Sequence, residues 1–433
     1  MGGLIKEKPM TCYINCRLVD GTGKAAVENA ALITQGSKIV YAGSAVMAPD
    51  IQDCEIIDMG GRTLLPGIFN CHAHLSLRFP FIPYCVDEYG TPGYRTMVMY
   101  RRAMEALFCG VTTIRVPGEA DYTDTAVRDA INRGMFIGPR ILTAGPIIIA
   151  HGGHGSGQWG VVECSGPYEF AREARKAICN GVDFIKICTT GGMMGEYEGA
   201  ETVQMTEEET RAVTAVAAEY GKIVVGHIGN DRAIRTAVKC GVKSIEHGYM
   251  MNEETAQIMA EAGAYLVPTL TVSASCDYLE KHNNPRYHIE KIRSIGKKHM
   301  QSASNAIRAG VKIAVGTDLL PSDPLDGTNA TFREVELLVE AGMNPLEAIR
   351  SATLISAEVC GVDGITGTLE VGKEADIIAV DGKPDENIRD LRNLAMVVKG
   401  GAVVRSSVEN DHRPGISVLP FGQIPEGASF INW

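Results

Sequence analysis

Ile223-Val224-Val225-Gly226-His227, a helix-like stretch over 230–240, then Ser244-Ile245-Glu246-His247: a short apolar run ends in histidine, a helix intervenes, and a second run ends in histidine. The two histidines lie twenty residues apart, the length of one βα unit, which places them at the ends of adjacent parallel strands. The same arrangement recurs on both sides. Ile68-Phe69-Asn70-Cys71-His72-Ala73-His74, Asp183-Phe184-Ile185-Lys186 and Ile313-Ala314-Val315-Gly316-Thr317-Asp318 also finish on residues able to bind a divalent metal. A parallel barrel whose strands all end at one rim would bring these side chains together.

The wider pattern agrees. Eight strand candidates lie near 65–71, 112–116, 140–144, 183–187, 223–227, 243–246, 265–269 and 313–317. Helical segments separate them, at 94–109, 124–133, 168–179, 206–220, 230–240, 252–263, 289–309 and 331–341. Thr206 with Glu209 makes a capping box, and Asn344, Pro345 and Glu347 combine N-cap, N1 proline and N3 glutamate. The expected fold class is α/β, a (β/α)8 TIM-type barrel over 65–365. Residues 1–64 and 366–433 read as short strands and turns, and the two ends are expected to pair into one small β domain. The stretch 406–433 is Pro/Gly-rich, carries Phe421, Phe430 and Trp433, and is read as a tail or a packing arm.

Composition narrows the partners. A net charge of −11 and a pI near 5.5 argue against nucleic acid or an anionic membrane, and leave a small-molecule substrate. The 433-residue chain carries twelve scattered cysteines without a CxxC pair, which points to reduced thiols and a cytoplasmic location. Met1-Gly-Gly-Leu-Ile-Lys6 lacks a signal-peptide core, and no run approaches the ~18 apolar residues of a membrane span. A homo-oligomer is expected, the aromatic tail being long enough to reach a neighbouring subunit.

Each candidate residue also has an ordinary reading. His72 and His74 stand at i and i+2, on one face of a strand, where both imidazoles can reach one ion; they are otherwise two incidental histidines. Lys186 interrupts a largely apolar strand, where an unpaired lysine is costly. It is either a snorkelling rim lysine or a neutral amine that adds CO2 and bridges two metals as a carbamate. His227 and His247 can be satisfied rim histidines, and Asp318 can merely cap a turn. The glycine-rich loop Ala150-His151-Gly-Gly-His154-Gly-Ser-Gly157 is either a surface loop or one that lets backbone approach a ligand, with His154 polarising a substrate carbonyl. Thr190-Gly-Gly-Met-Met-Gly-Glu-Tyr-Glu-Gly199 is a candidate wall or lid whose Glu196, Tyr197 and Glu198 can equally be solvated. Arg115 either binds a substrate carboxylate or pairs internally.

Together these residues resemble the amidohydrolase superfamily, and within it the imidazolonepropionase-like and Xaa-Pro dipeptidase-like metal hydrolases. The likeness runs from Leu64-Leu-Pro-Gly-Ile-Phe-Asn-Cys-His-Ala-His74 to Gly372-Lys-Glu-Ala-Asp-Ile377, with Gly241-Val-Lys-Ser-Ile-Glu-His-Gly248 and Gly316-Thr-Asp318 as its most specific parts. The resemblance implies a barrel joined to a β-sandwich built from both chain ends. It also implies two divalent ions, usually zinc, on His72, His74, carboxylated Lys186, His227, His247 and Asp318. Two departures stand out. Ile228-Gly229 replaces the Ala-Tyr that follows the fifth-strand histidine in prolidase-like members, leaving Tyr249 as a substitute substrate contact, and His247-Gly-Tyr-Met-Met251 differs from the commoner small or polar sequel.

The expected reaction is hydrolysis of an amide in a dipeptide, an N-acyl amino acid or a cyclic amide, by a water whose pKa two bridging metals lower. Asp318 would accept its proton and pass it to the leaving nitrogen, with His154 helping at the carbonyl; His151, Arg115 and Tyr249 are the candidate substrate contacts. The alternatives are a mononuclear imidazolonepropionase- or deaminase-type enzyme that does not need Lys186, a lactonase or phosphotriesterase on the same ligands, and a non-catalytic scaffold of the same fold.

Overall fold

The computed structural model describes residues 10–50, 54–76, 91–158, 160–413 and 415. The N-terminal Met1–Lys6 and the aromatic tail with Phe421, Phe430 and Trp433 lie outside them. The chain is a mixed α/β protein with two compact units, one of Met1–Phe69, Leu107–Thr112 and Asn344–Trp433, the other of Asn70–Ala106 and Thr113–Met343.

The first unit is built on an eight-stranded sheet that draws on both chain ends. Its order is Ala402–Ser406, Leu394–Lys399, Ile377–Val380, Thr63–Pro66, Met10–Leu18, Val27–Gln35 and Lys38–Ser44, with Cys54–Asp58 also pairing with Met10–Leu18. Thr63–Pro66 runs antiparallel to Ile377–Val380, residues more than 300 positions apart in sequence. Alternating apolar positions supply the core, including Tyr13, Leu32, Ile39, Leu64, Ile377 and Met396.

The second unit is mostly parallel, apart from the short antiparallel pair Pro324–Leu325 and Thr328–Asn329. Its seven-stranded sheet has the order Val161–Cys164, Ile147–Ala150, Ile185–Cys188, Val224–Asn230, Ser244–Met250, Tyr265–Val267 and Lys312–Ile313, and every pairing in it is parallel. Within this unit the segment Thr113–Val116 pairs in parallel with Arg140–Thr143. Backbone bonds run beyond these ladders: Asp183 N donates to Thr143 O (2.8 Å), and Cys71 N donates to Val315 O (2.6 Å). These strands are buried on both faces, which is why they read as unbroken apolar runs rather than alternating ones.

The eight expected helices are present, within three residues of the expected ends. Thr206 and Glu209 form the reciprocal capping box, and so do Asn344 and Glu347 behind Pro345. Three features differ from the sequence reading. Ile147–Ala150 and Val161–Cys164 are additional parallel strands around the glycine-rich loop. Two short helices, Leu270–Ala274 and Cys276–Lys281, follow the seventh strand. The eighth strand shrinks to Lys312–Ile313, because the chain leaves the ladder toward Asp318, which turns it with φ 53°. No described helix is long and apolar enough to cross a membrane.

Candidate metal centre and active site

The ends of the parallel strands gather the expected ligands. Pairing of Ile228 with His247 sets His227 and His247 on neighbouring strands, with ring centroids 4.5 Å apart. His72 lies 4.9 Å from the His247 ring and 5.4 Å from that of His74. Asp318 Oδ1 sits 3.3 Å from His72 Nε2 and 3.4 Å from His74 Nε2. Gly316 makes room for this: a Cβ there would fall 2.7 Å from the His72 Cβ and 2.8 Å from its backbone nitrogen. His247 (φ 68°), Thr269 (φ 54°) and Asp318 occupy left-handed backbone, a strained conformation that collects at functional sites.

Each histidine has one ring nitrogen tied down, which orients the other. His72 Nδ1 meets Glu246 Oε2 at 2.6 Å, and His74 Nδ1 meets the Gly118 carbonyl at 2.9 Å. His227 Nε2 meets the Gly191 carbonyl at 3.2 Å, and His247 Nδ1 meets Thr269 Oγ1 at 2.7 Å. Carboxylate and carbonyl partners can only accept, so the ring nitrogens of His72, His74 and His227 that face them carry the hydrogen, while the Thr269 hydroxyl can either accept from or donate to His247. Ligand histidines are commonly prepared in this way. Burial also holds His227 and His247 well below the usual imidazole range, reinforced by His154 and Lys186 at the first and by the neighbouring His227 at the second.

Lys186 is 2% exposed, on the strand Ile185–Cys188, and its amine makes no hydrogen bond or ion pair among the described residues. Burial lowers its pKa against the opposing pull of Glu246, Cys188 and Asp318. Burial alone would raise the Asp318 carboxyl, but His72 and His74 hold it well below the usual carboxylate range. The donor set is thus imidazole nitrogen and ionised carboxylate beside a buried amine, which suits a borderline divalent ion such as zinc. The His–Asp separations also fit. Two ligands each ~2.0–2.1 Å from one tetrahedral ion stand about 3.3–3.4 Å apart. His72, His247 and Asp318 offer donor atoms all within 4.8 Å of one another, enough to hold a metal ion.

A cavity of about 520 Å³ opens beside these residues, bordered by Asp318, His227, His154 and Tyr249. His154 stacks on His227 at 4.3 Å, and its Nδ1 lies 2.5 Å from Glu198 Oε1. Glu198 is held in turn by Gln204 Nε2 and Gly195 N, and Lys291 donates to the Gly195 and Glu198 carbonyls. The loop thus carries a half-buried carboxylate that aims His154, while Tyr197 stands exposed. Tyr249 is buried and stacks on His247 at 5.1 Å, with an interplanar angle of 4°.

Two candidate contacts lie elsewhere. His151 is exposed and paired with Glu163 at 3.0 Å, away from the cavity lining. Arg115 takes the internal alternative. It is fully buried, its Nε donates to Cys71 O (2.6 Å) and its Nη2 to Glu246 Oε1 (2.8 Å), and Ser244 Oγ accepts from both Nη atoms. Arg115 is enclosed away from the cavity lining, so it is corrected from substrate contact to a support of Glu246, which holds His72. Sequence reading named Glu198 only as part of a candidate wall or lid, and passed over Glu246, His288 and His299. His288 and His299 share the buried face of helix Arg286–Ala309 with Ile292 and Ile295, a spacing of 3–4 residues that was available as a signal.

The chain belongs to the amidohydrolase family, whose sequence model matches residues 63–404, and is accordingly a hydrolase of carbon–nitrogen bonds. It is similar to the ochratoxinase of Aspergillus niger, at 29% identity over 96% of this chain and 89% of that one. A crystal structure of a Xaa-Pro dipeptidase with methionine bound in its active site superposes with a TM-score of 0.81 at 31% identity, covering 91% of this chain and 99% of the other. An imidazolonepropionase of Hyphomonas neptunium is 25% identical over 81% of this chain and 87% of its own length.

Proposed function

We propose that this protein is a binuclear metal-dependent hydrolase of amide bonds in small molecules, its site carried at the rim of a (β/α)8 barrel spanning about residues 65–365, with both chain ends forming a β-sandwich. The barrel reading is supported by the run of parallel pairings and by the Cys71–Val315 and Asp183–Thr143 backbone bonds that continue it. The two metal positions are assigned to His72, His74, His227, His247, Asp318 and a carboxylated Lys186. The observation that carries the reading is the unpartnered, buried Lys186 amine among four oriented histidines and a carboxylate. A neutral amine is what carbamate formation requires. The twelve cysteines favour a reducing, cytoplasmic setting.

The ions, when bound, supply Lewis acidity and lower the pKa of a water held at the site. The remaining work falls to side chains. Asp318 accepts the proton of the attacking water and returns it to the departing nitrogen, which is a poor leaving group unless protonated. His154, aimed through Nδ1 by the Glu198 carboxylate, borders the cavity and assists at the carbonyl oxygen as charge develops there. Tyr249 and the apolar cavity wall exclude water. A mononuclear enzyme is the second reading, favoured by the tight convergence of His72, His247 and Asp318 alone.

The likeness to a Xaa-Pro dipeptidase favours amides over esters. The test is a screen of purified zinc-loaded protein against N-acyl amino acids, Xaa-Pro dipeptides and cyclic imides, with lactones and phosphotriesters alongside. Turnover of at least one amide class is expected; activity confined to lactones or phosphotriesters would overturn the assignment.

A further inference from the structure

His288 sits near the start of helix Arg286–Ala309 and forms part of the cavity wall. It is 7% exposed, and among the described residues its imidazole makes no hydrogen bond. The apolar part of the same lining is Met193, Met194, Val272, Leu279, Ile292 and Leu319, thioether and aliphatic groups, with His154, His227, Tyr249 and Asp318 completing the wall. The Ser275 hydroxyl, also on this lining, donates to the Val272 carbonyl at 2.8 Å and keeps its lone pairs. Burial pushes the His288 pKa down to about 4, although Asp318 pulls the other way, so the ring is neutral near pH 7. A neutral imidazole offers one donor and one acceptor, and here neither is answered by the protein. Buried polar groups are nearly always hydrogen-bonded, and one that borders a cavity without a partner is matched by what enters the cavity.

We propose that His288 is a specificity-determining residue that takes an uncharged oxygen, hydroxyl or carbonyl, borne on the apolar part of the substrate away from the scissile bond. A hydrogen-bonding group set in a largely apolar stretch of wall discriminates against an analogue lacking its partner, because the group is then left unpaired. The amide at the scissile position rests on the hydrolase reading; the binding event at His288 does not. The substrates that suit this cavity are amides whose hydrophobic side group ends in such an oxygen, as a phenol does.

The experiment separates the two. Titration calorimetry of the zinc-loaded protein with phenol and with toluene compares two ligands of nearly equal shape that differ in one hydroxyl. Wild type is expected to bind phenol at least about tenfold more tightly. The preference is expected to survive in H288Q, which keeps a donor and an acceptor, and to vanish in H288L, with H288M carrying the same comparison should H288L not fold. Zinc is common to all samples, so phenol bound at the metal would leave the preference unchanged in H288L, and that result overturns the proposal, as does equal binding in wild type. N-acetyltyrosine and N-acetylphenylalanine extend the comparison to kcat/KM. A His288-dependent phenol preference without any amide turnover would sink the hydrolase reading and leave this one standing.

Discussion

Asp318 concentrates the chemistry at the scale of one residue. Its carboxylate lies within 3.4 Å of two imidazoles and is kept ionised by them, and its left-handed backbone points it back across the strand ends. Asp318→Asn keeps the size and one oxygen donor but cannot shuttle a proton. It is expected to lower kcat by at least about 100-fold, the usual scale for a lost acid–base group, while metal content stays near wild type. Activity within tenfold of wild type would contradict the role. Asp318 was legible in the sequence because Val-Gly-Thr-Asp ends a strand in step with the histidines. Glu198 was not. Its loop is polar and glycine-rich and reads as solvated, and the His154 it orients lies 44 residues away. Only folding brings the carboxylate inside.

At the scale of elements, strand ends place the ligands and a buried ion pair beneath them sets their orientation. Arg115 on Val111–Val116 and Glu246 on Ser244–Met250 are both fully enclosed, and Glu246 holds His72. Burial works against the Glu246 carboxylate, but Arg115 and the hydrogen-bonded His72 outweigh it and hold its pKa at about 2. A carboxylate depressed in the folded state stabilises fully above its unfolded pKa, near 4.5, and that contribution is lost as pH falls toward 2. Arg115→Met strands the charge and is expected to cost about 3–5 kcal/mol at pH 7 in urea unfolding. The gap to wild type should narrow between pH 5 and 3, as Glu246 takes up a proton in the variant. A gap independent of pH would remove Glu246 from the explanation.

Most of these elements could be read from apolar runs bounded by helix caps. The exceptions have local causes. Ile147–Ala150 precedes a glycine-rich loop and reads as the lead-in to that loop, and its partner Val161–Cys164 is too short to give a period. Arg115 ends its strand at the same level as the ligands, so sequence position alone could not say which way its guanidinium turns. The pairing is decided by Ser244 and Glu246, some 130 residues on.

Across the whole molecule, the first unit draws both chain ends into one sheet, while the second carries every residue of the proposed site, from His72 to Asp318. That division explains why the ligands are spread over nearly 250 positions and still converge: each parallel strand returns the chain to the same rim before the next helix leaves it. The central claim is that Lys186 joins two ions into one centre. Metal analysis by plasma mass spectrometry, on wild type and Lys186→Ala after dialysis against zinc, tests it most directly. About two equivalents per chain are predicted for wild type and one or fewer for the variant, with partial recovery when short carboxylates such as acetate or propionate stand in for the carbamate. Equal metal content in both proteins would contradict the binuclear account.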